Sequence, residues 1–318
     1  MICDSKQRKK VRVVNSRAEV FFAKVQLENS NIQYPQDIVF LCGGAYQKHG
    51  SFLSFRDFIH RNRENVLSGK KVILADDAAK KFDSKIYDDL LQFEAHIASI
   101  SRLVLLVSEG PGAIAELGAF SQIPEIQPKF LVYVNSEHYR ENSFIKDGPI
   151  RFLERRNEES VWEFDWDVKD DNTVEFQHEP QLKSAIVESI ALFKTYQPKT
   201  EKFSVKRVGH KILLIAGIVS MLRCCKLREI ITALEIMNIE IREKEVKKYI
   251  FCLELFGWVR SVKRDTRYYI STSEEVPFFF KPKGPFFLLD NIRARHDIVN
   301  GYEKGDPRLS VLDTVHNA

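Results

Sequence analysis

No stretch of this chain comes near the ~18 uninterrupted apolar residues that a membrane-crossing helix requires. Its opening, MICDSKQRKKVRVV, is basic but has neither an apolar core nor a small-residue cleavage site. Membrane and secreted classes drop out on these grounds, and the chain is expected in the cytoplasm. Cysteine is scarce: Cys3, Cys42, Cys224, Cys225 and Cys252 are all there is. The number is odd, two are adjacent and no CxxC occurs, which excludes a disulfide framework or a zinc pattern and fits a reducing compartment. The eight histidines show no HxxxH or HExxH spacing, so no metal site is expected. Internal repeats are also missing.

What is present is a chain of 318 residues, 44% hydrophobic and 29% charged, long enough for two domains. Its net charge of +4 is an average over two different halves. Residues 1–200 hold 27 Lys+Arg against 29 Asp+Glu, and residues 201–318 hold 21 against 15. A near-neutral part joined to a basic part suits a small ligand in the first and a polyanion in the second.

Four short apolar runs punctuate the first part: Asp37–Cys42, Lys71–Ala75, Leu103–Val107 and Phe130–Val134. Between them, Phe52–Asn65, Lys85–Ile100 and Ala113 to about Phe120 carry apolar residues at helical spacing, and Pro180–Tyr196 closes the series. Strands alternating with helices predict an α/β fold, a Rossmann-like open parallel sheet covered on both faces. A polar, Pro-containing stretch then leads to helical patterns over about 209–222, 226–237 and 243–256. Two strand-like runs follow, Trp258–Val262 and Arg267–Ser271, which is the element order of a winged helix. The expected layout is an N-terminal extension (1–36), the α/β domain (37–197), a linker (198–208), a winged-helix domain (209–272) and a tail (273–318). The tail holds Phe278–Phe280 and Pro285–Leu288, apolar clusters that call for something to pack on.

In an open parallel sheet, ligands bind beyond the C-terminal strand ends. Three features fall there: Cys42, Gly43 and Gly44 after the first run, Asp76 and Asp77 after the second, and Ser108–Glu116 after the third. Gly110-Pro111-Gly112 turns directly into a helix, leaving backbone N–H groups free for an anion. Glu116 falls about one turn into that helix, where the dipole favours an ionised carboxylate. Such a carboxylate can attack C1′ of a ribosyl group through an oxocarbenium-like transition state, while Asp76 or Asp77 positions or protonates the leaving base. Plainer readings stand beside these. Cys42 reads as a packed apolar residue, Asp76-Asp77 as a cap, and Glu94, on an otherwise apolar helix, as a solvated acid rather than one turned toward the cleft.

Phe40–Gly44 (FLCGG) together with Ser108–Phe120 (SEGPGAIAELGAF) resembles the nucleoside 2-deoxyribosyltransferase-like superfamily, and within it the effector (toxin) proteins of bacterial retrons. Ser143–Pro149 (SFIKDGP) also looks like a motif of those effectors. The resemblance implies that Glu116 is the nucleophile, that the first glycine loop walls the ribose or phosphate, and that the substrate is a nucleotide, with NAD foremost. It further implies no cofactor, a homo-oligomer or larger complex, and partnership with a retron reverse transcriptase and its multicopy single-stranded DNA in anti-phage defence. The chain departs from many relatives in carrying Gly110 and Ala113 where they have serine.

The basic half has its own pattern. Lys244, Lys247 and Lys248 recur at i, i+3 and i+4 on one predicted helix. Arg260, Lys263, Arg264 and Arg267 crowd the following hairpin ahead of Tyr268-Tyr269. A basic helix and wing with aromatics suit phosphate contacts and base stacking; a docking module with a solvated charged face fits as well. A nucleotide sensor without catalysis, or a DNA-binding regulator whose first domain only oligomerises, remain alternative functions.

Overall fold

A computed structural model describes residues 14–34, 37–195, 200–272, 277–284 and 290–316. The chain divides into two units. One is Tyr34–Thr200 with Arg207–Gly209; the other joins the described parts of Met1–Gln33, Glu201–Lys206 and His210–Ala318.

The first unit is built on β1 (Ile38–Cys42), α1 (Phe55–Arg61), β2 (Lys71–Leu74), α2 (Ala75–Ala79), α3 (Leu90–Ile100), β3 (Leu103–Val107), α4 (Pro111–Ser121), β4 (Phe130–Asn135), β5 (Val161–Phe164) and α5 (Glu179–Thr195). These five strands form one parallel sheet in the order β2-β1-β3-β4-β5, beside a short antiparallel pair, Asp167–Val168 with Val174–Glu175. Every residue of β1, β3 and β4 is buried, as continuous apolar runs require when both faces of a sheet are covered. The mixed α/β architecture with a parallel sheet agrees with the expectation and is consistent with a Rossmann-like fold. The fifth strand was not among the predicted ones. Val161–Phe164 alternates Trp162 and Phe164 with an acid at the half-exposed sheet edge, so it lacks the apolar run that marks its neighbours.

Two boundaries differ from the periodicity. The helix expected from Lys85 begins at Leu90, because Asp89 caps it by accepting a hydrogen bond from the Gln92 N–H at 2.7 Å. The helix expected over 52–65 begins after Ser54, whose hydroxyl accepts from the Asp57 N–H, and is broken at Asn62.

In the second unit, α6 (Val208–Leu222, belonging to this unit from His210 on), β6 (Cys224–Cys225), α7 (Leu227–Ile236), α8 (Glu243–Phe256), β7 (Val259–Lys263) and β8 (Arg267–Ser271) follow one another. The three strands form an antiparallel sheet in the order β6-β8-β7. The stretch read as an N-terminal extension supplies structure here. A helix, Ser16–Ala23, sets Phe21 and Phe22 edge-on to Phe280, and Asn31–Gln33 pairs antiparallel with Phe278–Phe279. Phe278 and Phe280 are buried, so this part of the tail packs into its own unit; Pro285–Leu288 lie outside the described residues. Among the described residues no helix is long and apolar enough to cross a membrane.

Candidate active site and basic surface

Parallel register brings the loops together. Leu41 of β1 lies beside Leu74 of β2, and Cys42 beside Leu106 of β3, so the exits of all three strands share one edge. The chain runs outward from β1 to β2 and returns to β3 on the other side of β1. The sheet's topological switch point, where α/β folds open a crevice, therefore lies between β1 and β3.

Five side chains from five elements meet at this edge. Glu116 comes from α4, Glu94 from α3, Cys42 from β1, Arg56 from α1 and Asp76 from α2. The Glu94 and Glu116 carboxyls are hydrogen-bonded to each other, and Glu116 also engages the Cys42 thiol. Arg56, only 1% exposed, places Nη2 against Asp76 Oδ2 as an ion pair without hydrogen-bond alignment. Its buried Nε finds no hydrogen-bond partner among the described residues. Arg56 is wedged under the first glycine loop. A Cβ on Gly43, whose φ is +152°, would come within 2.8 Å of the Arg56 Cβ, so only glycine fits there.

The electrostatics follow from burial. Burial pushes the Glu94 carboxyl up to about 8, helped by the charges of Glu116 and Asp76. Burial likewise raises Glu116, against hydrogen bonds from Cys42 and Glu94 and the pull of the Arg56 guanidinium. Burial raises Cys42 far above the ordinary thiol value, with both glutamates adding to it. Glu94 is not solvated but 6% exposed and turned onto Glu116. Glu116 is the sixth residue of α4, beyond the first turn, so burial outweighs the helix dipole and moves its carboxyl upward rather than down.

Asp76 and Asp77, which the sequence could not separate, part company in space. Asp76 faces Arg56 in the acid cluster. Asp77 instead accepts hydrogen bonds from the Tyr46 hydroxyl at 2.8 Å and from Lys80 Nζ at 2.9 Å, and these hold its carboxyl below the usual range, Lys80 foremost. Tyr46, two residues beyond Gly44, has the Arg56 Cζ and the Lys80 Nζ each 5.4 Å from its ring centre. The loop after β3 is tied down by Glu109, whose carboxylate accepts from the N–H groups of Gly44 (3.1 Å), Phe55 (2.9 Å) and Arg56 (2.9 Å). One carboxylate thus joins the two glycine loops and satisfies the first turn of α1. Gly110, at φ +83°, is the N-cap of α4, Pro111 its first residue, and no side chain caps it. Gly110, Pro111 and Gly112 are exposed; Ser108, at the strand exit, is half-buried. Sequence reasoning missed Arg56, Tyr46 and Glu109 as site residues. The signal that could have found Arg56 was the double glycine, which implies something bulky pressed against the loop.

Among the basic residues, Lys244 and Lys247 are exposed on α8, the latter 2.6 Å from Glu243. Lys248 is a correction: it is 2% exposed, with Nζ 3.3 Å from Glu245. Cys252, one turn on, is buried as well and widens the apolar stripe of α8 until it takes in Lys248. Arg260, Lys263, Arg264 and Arg267 are all exposed on the β7–β8 hairpin, and Arg264 donates to the Ser310 hydroxyl at 3.1 Å. Tyr268 and Tyr269 are buried, 0% and 6% exposed, because side chains alternate along β8 onto a sheet covered on both sides. They cannot stack on bases.

Comparison with known proteins places this geometry in a lineage. The profile of the STM3845 retron effector protein family matches residues 53–261, about two thirds of the chain. The chain belongs to the STM3845 retron effector family. Two Escherichia coli proteins with the provisional name ribosyltransferase/DNA-binding protein are similar to it. The one from retron Ec73 is 28% identical over 160 residues, 48% of this chain and 50% of that protein. The one from retron Ec86 is 28% identical over 132 residues, 39% of each chain. The chain thus spans half or less of the length of the curated relatives it matches. Within the effector family's window lie Arg56, Asp76, Glu94 and Glu116 as well as α8 and Arg260, whereas Cys42, Gly43 and Gly44 precede it.

Proposed function

We propose that this retron effector cleaves an N-glycosidic bond of a nucleotide, with Glu116 as nucleophile. The observation that carries the reading is the placement of Glu116 at the switch point between β1 and β3, beside a buried arginine and two further carboxyls. The Glu116 carboxylate attacks C1′; the bond from C1′ to the base nitrogen breaks, and its electron pair leaves with the base. Water then attacks C1′. The bond from C1′ to Glu116 breaks with its pair returning to the carboxylate, and the proton of the water leaves through the half-exposed Asp76. Arg56 holds Asp76 in place and keeps Nε for an oxygen of the ligand. Asp77, engaged with Tyr46 and Lys80, forms the outer wall. Gly43, Gly44, Ser108, Gly110, Pro111 and Gly112 line the approach, with Cys42 buried behind them against Glu116 and the first turn of α4 offering N–H groups to an anion.

NAD is the foremost substrate by the resemblance to retron effectors, and its nicotinamide leaves neutral, needing no protonation. The helix–strand–helix–helix–strand–strand order of α6 to β8 supports a winged helix, with Arg260, Lys263, Arg264, Arg267, Lys244 and Lys247 on phosphates of DNA. The relatives' names support the same pairing of ribosyl transfer with DNA binding. In this reading the effector works in the cytoplasm as a homo-oligomer or larger complex, held inactive by the retron reverse transcriptase and its multicopy DNA. The test is to incubate the protein with NAD and with nucleoside monophosphates and to look for free base by chromatography. Wild type releases base and Glu116→Gln does not; base release at the wild-type rate from Glu116→Gln overturns the assignment.

A further inference from the structure

Glu94 has no part in the mechanism above, yet it is the more deeply buried member of the carboxyl pair. It projects from α3, whose neighbouring Phe93, Ile97, Ala98 and Ile100 are all buried. The charged and titratable groups that act on the pair are Cys42 from β1, Arg56 from α1 and Asp76 from α2. Of these only Arg56 is cationic, and Asp76 already pairs with it. With both glutamates ionised the cluster would carry two uncompensated negative charges away from water, so one proton stays on the pair. The two members are not equivalent. Arg56 acts on Glu116 and favours its anion. Glu94 feels only negative neighbours, Glu116 and Asp76.

We infer that Glu94 is a positioning residue that keeps a proton at neutral pH and donates it in a hydrogen bond to Glu116, leaving Glu116 the sole anion of the pair. The inference rests on the reading of Glu116 as nucleophile. The bond turns one carboxylate oxygen of Glu116 toward Glu94 and leaves the other free to reach C1′. Above the titration of Glu94 two carboxylates face each other, the donor is lost and Glu116 swings or takes up a proton in its turn. A glutamine at position 94 keeps a donor at every pH.

The test compares wild type, Glu94→Leu and Glu94→Gln in base release from NAD across pH. In parallel, infrared spectra of the wild type and Glu94→Gln are recorded at neutral pH in the carbonyl-stretch region of protonated carboxyls. Glu94→Leu is expected to lose about 10- to 100-fold in kcat, the worth of a hydrogen bond to a charged group, with KM little changed. Glu94→Gln restores most of that loss. Wild-type activity falls above pH of about 8, the value at which Glu94 gives up its proton, and Glu94→Gln does not follow. The wild-type spectrum holds a protonated-carboxyl band that Glu94→Gln lacks. An alkaline fall that persists in Glu94→Gln, a Glu94→Gln as inactive as Glu94→Leu, or a spectrum unchanged by the substitution overturns the inference. If no probe nucleotide is cleaved by the wild type, the nucleophile reading fails, while the infrared band still reads the proton on Glu94.

Discussion

Glu94 also sets a cost on folding that depends on pH. Its ordinary value is 4.5, and the fold raises it to about 8. The folded state therefore holds this proton more tightly than the unfolded chain. The stability it contributes is complete below pH of about 4.5 and is lost as the pH rises through about 8. Glu94→Gln escapes that loss. It is expected to melt close to the wild type near pH 5 and several degrees above it near pH 9, followed by circular dichroism. A lower melting point near pH 9 would contradict the burial account. The glycine turns at Gly43 and Gly110 were legible in the sequence because each follows an apolar run, and their place at the strand exits puts Glu116, six residues into α4, near the same edge. Arg56, Tyr46 and Glu94 were not. Helical periodicity reports which residues share a face, and in LLQFEAHIASI a single acid reads as solvated. That this face turns onto a second carboxylate depends on how α3 and α4 pack, which no local pattern encodes.

At the scale of elements, alternating strands and helices announced the parallel sheet, and β5 escaped because an edge strand needs no continuous apolar run. The order β2-β1-β3-β4-β5 matters more than any boundary, since it puts the reversal of chain direction next to Cys42 and Ser108. The i, i+3, i+4 spacing of lysines on α8 misled for a related reason: spacing cannot tell how wide the buried stripe is. Lys248 and the hairpin arginines should thus behave differently. Removing the hairpin charges with Arg260→Ala, Lys263→Ala and Arg267→Ala is expected to weaken single-stranded DNA binding evenly across sequences. The slope of log affinity against log salt should fall by about one for each phosphate that the hairpin no longer neutralises. Lys248→Ala should leave that slope intact and lower the melting temperature instead, because it empties a buried site and leaves Glu245 without its partner. An unchanged slope in the triple variant would move DNA binding away from the hairpin.

A second element-scale dependence lies at the start of α7. Glu229, 3% exposed, accepts from the Lys226 N–H at 2.8 Å and is met by Arg308, which also binds Asp306. Burial raises the Glu229 carboxyl, and Arg308 is the first group opposing it. Arg308→Ala strands that carboxyl and should destabilise the C-terminal unit by about 1–3 kcal/mol, measured by urea denaturation. No change would mean that the pair contributes nothing beyond its geometry.

For the whole molecule, the described residues divide into two units, and separate tasks for them, suggested by the charge asymmetry, belong to the proposed function. Their borders differ from a simple cut near residue 200. The described residues before Tyr34 belong with the C-terminal unit, because Phe21, Phe22 and Ile32 complete its core. Such long-range pairing leaves no mark on local composition. The central claim is that the acidic cluster of the first unit makes Glu116 a nucleophile. Its most direct test is peptide mass spectrometry after acid quenching of the enzyme during turnover of NAD. An ADP-ribosyl adduct is expected on the peptide carrying Glu116, and none in Glu116→Gln. Base release accompanied by an adduct elsewhere, or undiminished in Glu116→Gln, would contradict it.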